Sequence, residues 1–156
     1  MMTKKTASII TGGVTQTTKM PCKSYSLPTE ACHTGYRMAQ VAGSICAHCY
    51  ANKGNYRKYQ NNIIPAQMAR LESLADENWP VAMATLIGTD KFFRWHDSGD
   101  IQSVEHLELI AEVCRLTPQC KHWLATREYG IVAAFVAQHD MPRNLVIRLS
   151  AMFPDV

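Results

Sequence analysis

Four cysteines lie in the first third of the chain, and their spacing is that of a metal-binding site. Only two residues separate Cys46 from Cys49, so both sulfurs can turn toward one metal ion or cluster. Cys22 and Cys32, farther upstream, complete a set of four thiols that suits zinc or an iron–sulfur cluster. The residues alone leave three alternatives open, which are a 4Fe-4S cluster, zinc and no metal.

A second group of polar residues follows three apolar segments in the later part of the chain. The group consists of His96, Asp97, Ser98, Gly99 and Asp100, then Arg127 and Glu128, and then Arg148 and Ser150. If the apolar segments are parallel strands, their carboxyl ends meet at one edge of a sheet, where ligands bind in α/β proteins. The pattern therefore predicts one pocket with walls from three strand exits.

Some of these polar residues also have a purely structural interpretation. Asp100 is suited to cap the helix that follows it, and Ser98-Gly99 is suited to a turn. Arg127 and Glu128 could form ion pairs at the rim of the sheet. Arg148 interrupts an apolar strand, and a guanidinium buried there would need an anionic partner.

The elements that must position these residues follow from periodicity and from capping signals. We predict helices over 63–87 (broken near Trp79-Pro80), 103–116 (capped by Ser103) and 130–138, and strands over 91–96, 122–126 and 145–149. Strands that alternate with helices at this spacing form βαβ units with right-handed crossovers. The fold class is therefore α/β with a parallel sheet.

Residues 1–60 differ from the rest in composition, because Gly, Ser, Thr, Pro and Cys are frequent there and apolar periodicity is poor. This segment is predicted to consist of loops and turns folded around a metal. With 156 residues, the chain has the size of one domain, made of this Cys-rich segment (1–60) and a βαβαβ unit (61–156).

The chain carries no apolar stretch long enough for a membrane span and no signal-peptide core after Met1. A cytoplasmic location is therefore predicted, where cysteines are metal ligands or buried thiols more often than disulfide partners. Residues 1–70 contain nine Lys and Arg against the single acid Glu30, a net charge of +8, so that the remainder is at −5. This basic segment could offset thiolate charge, receive a phosphate or nucleic acid, or simply be a solvated face.

Several long blocks of the sequence resemble the bacteriophage "gene product eighty-eight" family. These blocks are Met20-Pro21-Cys22 through Ser26-Leu27-Pro28, Cys46 through Ala51, Gly54-Asn55-Tyr56, Phe93 through Asp100, and Trp123 through Glu128. The resemblance covers nearly the whole chain. It implies a phage-encoded protein that works in the host cytoplasm.

That family in turn resembles radical S-adenosylmethionine enzymes, which implies an incomplete (β/α) barrel, a 4Fe-4S cluster and S-adenosylmethionine as cofactors. By this resemblance Cys32, Cys46 and Cys49 hold the cluster. The cofactor-binding residues would be Ser98, Gly99, Asp100, Arg127, Arg148 and Ser150, and the substrate would face His96, Asp97 and Glu128, with His96 as an acid or base.

Three features depart from the radical enzyme pattern. Thirteen residues instead of three separate Cys32 from Cys46. If Cys22 were a fourth ligand, the protein would occupy every coordination position of the site, as in structural zinc sites. Catalytic zinc sites instead keep one position open. The sequence also ends after the third predicted strand, so we expect a barrel that is naturally short or truncated.

Two functions follow from the sequence. The first is an iron–sulfur protein with a radical S-adenosylmethionine-like half barrel, an enzyme if it modifies a small molecule or a nucleobase. The alternative is a non-catalytic, metal-stabilised phage protein that binds a host macromolecule, such as a defence complex or nucleic acid, through its basic segment. In either case an incomplete sheet leaves an edge that a second copy could cover, giving a homo-oligomer.

Overall fold

The computed structural model describes residues 1–16, 18–53 and 58–154. Gly54-Asn55-Tyr56, one of the blocks that carry the family resemblance, lies outside the described residues, as does Arg57 of the basic segment. In the part of the chain that is described, no helix has the length and apolar character needed to cross a membrane.

A five-stranded sheet organises the described residues, and its strands lie side by side in the order in which they occur along the chain. The strands are β1 (Thr15–Gln16), β2 (Lys23–Tyr25), β3 (Phe92–Trp95), β4 (Lys121–Thr126) and β5 (Leu145–Leu149). β1 pairs with β2 in antiparallel fashion, and the other neighbours are parallel. The fold is thus mixed α/β with a mostly parallel sheet, and among the described strands the sheet does not close into a barrel.

The helices connect the strands and pack against one another along one face of the sheet. They are α1 (Lys4–Thr11), α2 (His33–Met38), α3 (Gln60–Ser73), α4 (Trp79–Ile87), α5 (Val104–Leu116) and α6 (Tyr129–Gln138). α1 packs on α4, α4 on α5, and α5 on α6. The predicted break near Trp79 is confirmed, because α3 ends at Ser73 and α4 begins at Trp79. The predicted Ser103 cap is also confirmed, since Ser103 Oγ accepts from His106 N at 3.1 Å.

The core lies between this helix layer and the sheet, and aromatic side chains fill its centre. Tyr25, Trp79, Phe93 and Trp95 are almost completely buried, and the rings of Trp79 and Trp95 are 5.9 Å apart. His122 on β4 joins them, because Trp95 Nε1 donates to its Nδ1 and Thr117 Oγ1 contacts its Nε2. Successive strand residues point to opposite faces, so Arg94 lies on the face away from the helices.

The structure corrects the prediction that residues 1–60 consist of loops around a metal. This segment contributes α1, two strands and α2, and Tyr25 and Leu27 belong to the core. β2 adds a fourth parallel strand beside β3, one more than the three predicted. A three-residue strand is too short to show a period of two in the sequence, which is why it was missed.

A close contact between two loops fixes the exit of β3 against the exit of β2. Leu27 N donates to Ser98 O at 2.8 Å, and Ser98 Oγ donates to Leu27 O at 2.9 Å. Gly99 has φ +82°, and a Cβ atom there would lie 2.5 Å from Leu27 Cβ and 2.9 Å from Leu27 O. Only glycine satisfies both the backbone conformation and the contact.

A Gly99→Ala variant should lose about 3 kcal/mol or more of unfolding free energy, because strain at positive φ adds to the clash with Leu27. Gly43→Ala is the matched control, since Gly43 has φ +81° with open space around it. The control should lose about 1 kcal/mol, which is the conformational strain alone. Urea unfolding of both variants measures the difference, and equal losses would show that the Leu27 contact is unimportant.

Candidate functional site

A cavity of about 430 Å³ opens at the carboxyl edge of the sheet, and most of the predicted site residues line it. Its walls include Cys32, Cys46, Cys49, His96, Asp97, Ser98, Gly99, Asp100, Arg127 and Ser150. The predicted convergence of strand exits therefore occurs for β3, β4 and β5. The cysteine-rich loops after β2 form the opposite wall.

The three cysteines of the wall come from two short turns. Cys32 precedes α2 directly, and Cys46 and Cys49 are at the start and just past the end of the 3-10 turn Cys46–His48. A Cβ atom placed on Gly35 would lie 3.6 Å from Cys46 Sγ and 3.8 Å from Cys32 Sγ. The bare glycine thus leaves open space between these two sulfurs.

The environments of Cys32 and Cys46 favour the protonated form of these two thiols. Burial, with smaller contributions from the nearby Asp100, Cys49 and Cys46, raises the pKa of Cys32 to about 12. Burial also raises the pKa of Cys46, although the Arg127 guanidinium opposes this rise. A metal that binds here must displace these protons, so its affinity will increase with pH.

The thiols share the cavity without converging on a single point. Across residues 1–16, 18–53 and 58–154, no group of three or more His, Cys, Asp or Glu side chains is arranged to hold one metal ion. Cys22 lies elsewhere. It lines a second cavity of about 300 Å³ with Met20, Trp123 and Val146, beside the start of β2. The structure therefore does not bring the predicted fourth ligand to the other three.

Asp100 ties the exit of β3 to the exit of β4. Its Oδ1 accepts from Ile101 N at 2.8 Å and from Thr126 Oγ1 at 2.5 Å, and its Oδ2 accepts from Arg127 N at 3.0 Å. Burial raises the pKa of Asp100, while these hydrogen bonds lower it. The bonds hold the carboxylate in one orientation at the cavity wall, and Asp100 does not cap α5, a role that Ser103 takes.

Glu128 does not line the cavity, in contrast to the predicted role facing a substrate. Its side chain is buried, and its two oxygens accept from Thr34 N at 2.6 Å and from Thr34 Oγ1 at 2.9 Å. Thr34 lies in the first turn of α2, two residues after Cys32. Glu128 thereby positions the Cys32 loop against the exit of β4.

Arg148 is exposed and does not line the cavity, so the prediction that it is a buried cofactor ligand is corrected. It lies in β5, the outer strand of the described sheet, on the face opposite to the helices. Water therefore solvates the guanidinium. Arg127 and Ser150 do line the cavity, and Arg127 Nε donates to Ala151 O at 3.0 Å.

His96 combines backbone strain with burial. It is non-glycine but has φ 57°, and neither ring nitrogen has a hydrogen-bond partner among the described residues. Burial, with a smaller contribution from nearby His106, holds the pKa of His96 well below its ordinary value, so the ring is neutral at pH 7. Strained, unpartnered polar residues concentrate at functional sites, which makes His96 the strongest acid–base candidate here.

Tyr50 and Arg94 are among the wall residues that sequence reasoning missed. Tyr50 follows Cys49 directly, and its hydroxyl donates to Asp97 O, so the cysteine turn is attached to the exit of β3. Arg94 lies in the middle of β3. A charged residue between Phe93 and Trp95 was the available signal, because a strand of this kind has two faces and only one joins the core.

A model of the family described as Gene product 88 matches residues 1–152 of the chain. No curated protein matches the chain, and no solved structure does. The family match covers all of the cavity residues named above.

The free energy of unfolding should fall as the pH is lowered from 7 to 5, because buried histidines resist protonation. Burial lowers the pKa values of His106 and His122 to about 4, from an ordinary 6.5. Between these values the unfolded chain binds more protons than the folded chain, so folding weakens as pH falls. We expect a loss of about 2 kcal/mol for each histidine. Urea unfolding at pH 7, 6 and 5 measures it, and a flat profile would contradict the assignment.

Proposed function

The chain belongs to the gene product 88 family, and we propose that it is an iron–sulfur protein with a binding site for S-adenosylmethionine beside the cluster. The cluster ligands would be Cys32, Cys46 and Cys49. The observation that carries the proposal is that these three thiols share one cavity with Ser98, Gly99, Asp100 and Ser150.

The donor set supports a cluster with one open position. Thiolates are the usual ligands of 4Fe-4S clusters, and three of them leave one iron available to another ligand. Cys22 lines a different cavity, which keeps the set at three. Each thiolate of a zinc site lies about 2.3 Å from the ion, and the described residues contain no group of three or more such side chains arranged to hold one ion. Zinc remains the alternative metal, and metal analysis of the purified protein distinguishes it from an iron–sulfur cluster.

The cavity is large enough for a ligand next to the cluster, since small-molecule sites have volumes of about 300–1,000 Å³. When bound, a reduced cluster of this kind supplies one electron that cleaves a carbon–sulfur bond of the cofactor sulfonium. Asp100 would offer its fixed carboxylate to the cofactor amino group, and Ser150 would contact polar groups opposite. His96, as a neutral ring, would exchange a proton with the substrate.

The strand order also supports a relationship to barrel enzymes. β2, β3, β4 and β5 are parallel and neighbour one another in chain order, and the connecting helices pack as one layer. This is the local topology of a (β/α) barrel, in which active sites lie at the carboxyl ends of the strands. The cysteine cavity lies at that end.

The alternative function is a metal-stabilised protein that binds a host macromolecule, and the charge distribution favours it in part. In the described part of the first 70 residues, six basic side chains are exposed, namely Lys4, Lys5, Lys19, Arg37, Lys53 and Lys58. Lys23 and Arg70 do not contribute to such a face, because Lys23 pairs with Asp90 and Arg70 is buried. Binding to nucleic acid that weakens steeply with salt would support this second function.

Replacing Cys46 by Ala should remove most of the iron and sulfide from protein purified without oxygen, because the site loses one of three ligands. The unaltered protein should hold about four irons and absorb broadly near ~400 nm. Metal and sulfide analysis with an absorption spectrum provides the measurement.

Cys22→Ala is the matched control, since it removes a thiol that lines the other cavity. It should retain the iron of the unaltered protein. Equal iron loss in both variants, or one zinc per chain in place of iron, would overturn the proposed ligand set.

A further inference from the structure

Arg94 forms part of the wall between the two cavities. It lines the cysteine cavity and also the second cavity, whose other residues include Met20, Phe92, Trp123 and Val146. Arg94 lies in the middle of β3, and its side chain points away from the helix layer. In the sheet it is paired in register with Ser24 of β2 and with Trp123 of β4. A ligand in either cavity can therefore reach its guanidinium.

The guanidinium is held in place but has little to bind. Its centre lies 4.8 Å from the centroid of the Trp123 ring, and Nη1 donates to Met20 Sδ at 2.9 Å. A thioether is a weak acceptor. Nε is buried and has no hydrogen-bond partner among the described residues, and none of the ion pairs found there includes Arg94. The guanidinium also hydrogen-bonds to the phenol of Tyr50, and its charge and this bond lower the pKa of Tyr50 against the rise that burial causes.

Arg70 shows how this chain satisfies an arginine whose role is structural. Its Nε donates to Gly13 O at 2.9 Å, and its Nη1 donates to Ser26 Oγ at 2.6 Å. Both arginines contact an aromatic ring, Tyr25 in the case of Arg70. They differ in that the donors of Arg70 reach oxygen acceptors, whereas the described contacts of Arg94 leave Nε open.

We propose that Arg94 is an oxyanion-binding residue, which receives a carboxylate or phosphate of the ligand that occupies the cysteine cavity. A planar guanidinium stacked on a ring presents its donors in a fixed plane, the geometry that binds such anions through two parallel hydrogen bonds. Arg127, the other arginine among the described residues of the wall, already donates to Ala151 O and lies near Cys46. The inference rests on the proposed function only in placing the ligand in this cavity.

The test is equilibrium binding by titration calorimetry on protein purified without oxygen. S-adenosylmethionine carries a carboxylate, adenosine 5′-monophosphate carries a phosphate, and adenosine carries neither. Arg94→Gln should weaken binding of at least one of the two anionic probes about 10- to 100-fold, as expected for loss of a hydrogen bond to a charged group. The affinity of Arg94→Lys for that probe should lie between the affinities of the unaltered protein and of Arg94→Gln. The affinity for adenosine, where it binds, should be the same in all three proteins. Trp123 fluorescence should respond to the same probes, because the Arg94 guanidinium lies 4.8 Å from the centroid of its ring.

Arg143→Gln is the control, because Arg143 is exposed and lines neither cavity. Weakening of S-adenosylmethionine alone assigns the anion to the cofactor carboxylate, and weakening of the nucleotide alone assigns it to a phosphate. Unchanged affinity in Arg94→Gln, or no saturable binding of either anion to the unaltered protein, overturns the inference. Iron analysis of the same samples tests the cluster proposal separately, so that its failure can be told from failure of the Arg94 inference. Thermal melting confirms that each variant is folded.

Discussion

Two buried carboxylates hold together the loops from which the cavity is built. Asp100 binds donors from its own loop and from the exit of β4, and Glu128 reaches from β4 to the first turn of α2. Each is buried, so an unpaired oxygen would be costly, and the donors around it leave few alternative arrangements. The relative positions of the β3 and β4 exits and of the Cys32 loop all depend on these bonds.

This arrangement separates the residues that shape the cavity from those free to act in it. Glu128 uses both oxygens on Thr34 and does not line the cavity, whereas Asp100 accepts three bonds and keeps one of its about four lone-pair positions open at the wall. His96 and Arg94, in contrast, reach the wall with nitrogens for which the described residues supply no acceptor or donor. Open hydrogen-bonding capacity, more than residue type alone, distinguishes the candidate ligand contacts.

The sequence was sufficient for the parts of the fold that depend on local signals. The Ser103 cap, the break at Trp79 and the convergence of the strand exits are all present, because capping, proline and parallel pairing act over short distances or by general rule. β2 was missed because three residues carry no period. Arg148 and Glu128 were misplaced because the direction of a side chain at a strand end depends on register and sheet edge, which a single sequence does not contain.

The hydrogen bond between Asp100 and Thr126 has a consequence for how the protein is made, because it joins parts of the cavity that are synthesised at different times. Cys32, Cys46 and Cys49 are synthesised more than 70 residues before Thr126, the residue of β4 that binds Asp100. At about 5–20 residues per second, the ribosome exposes these thiols for several seconds before their cavity can exist. The nascent chain thus passes through an interval in which oxidation of these thiols competes with folding.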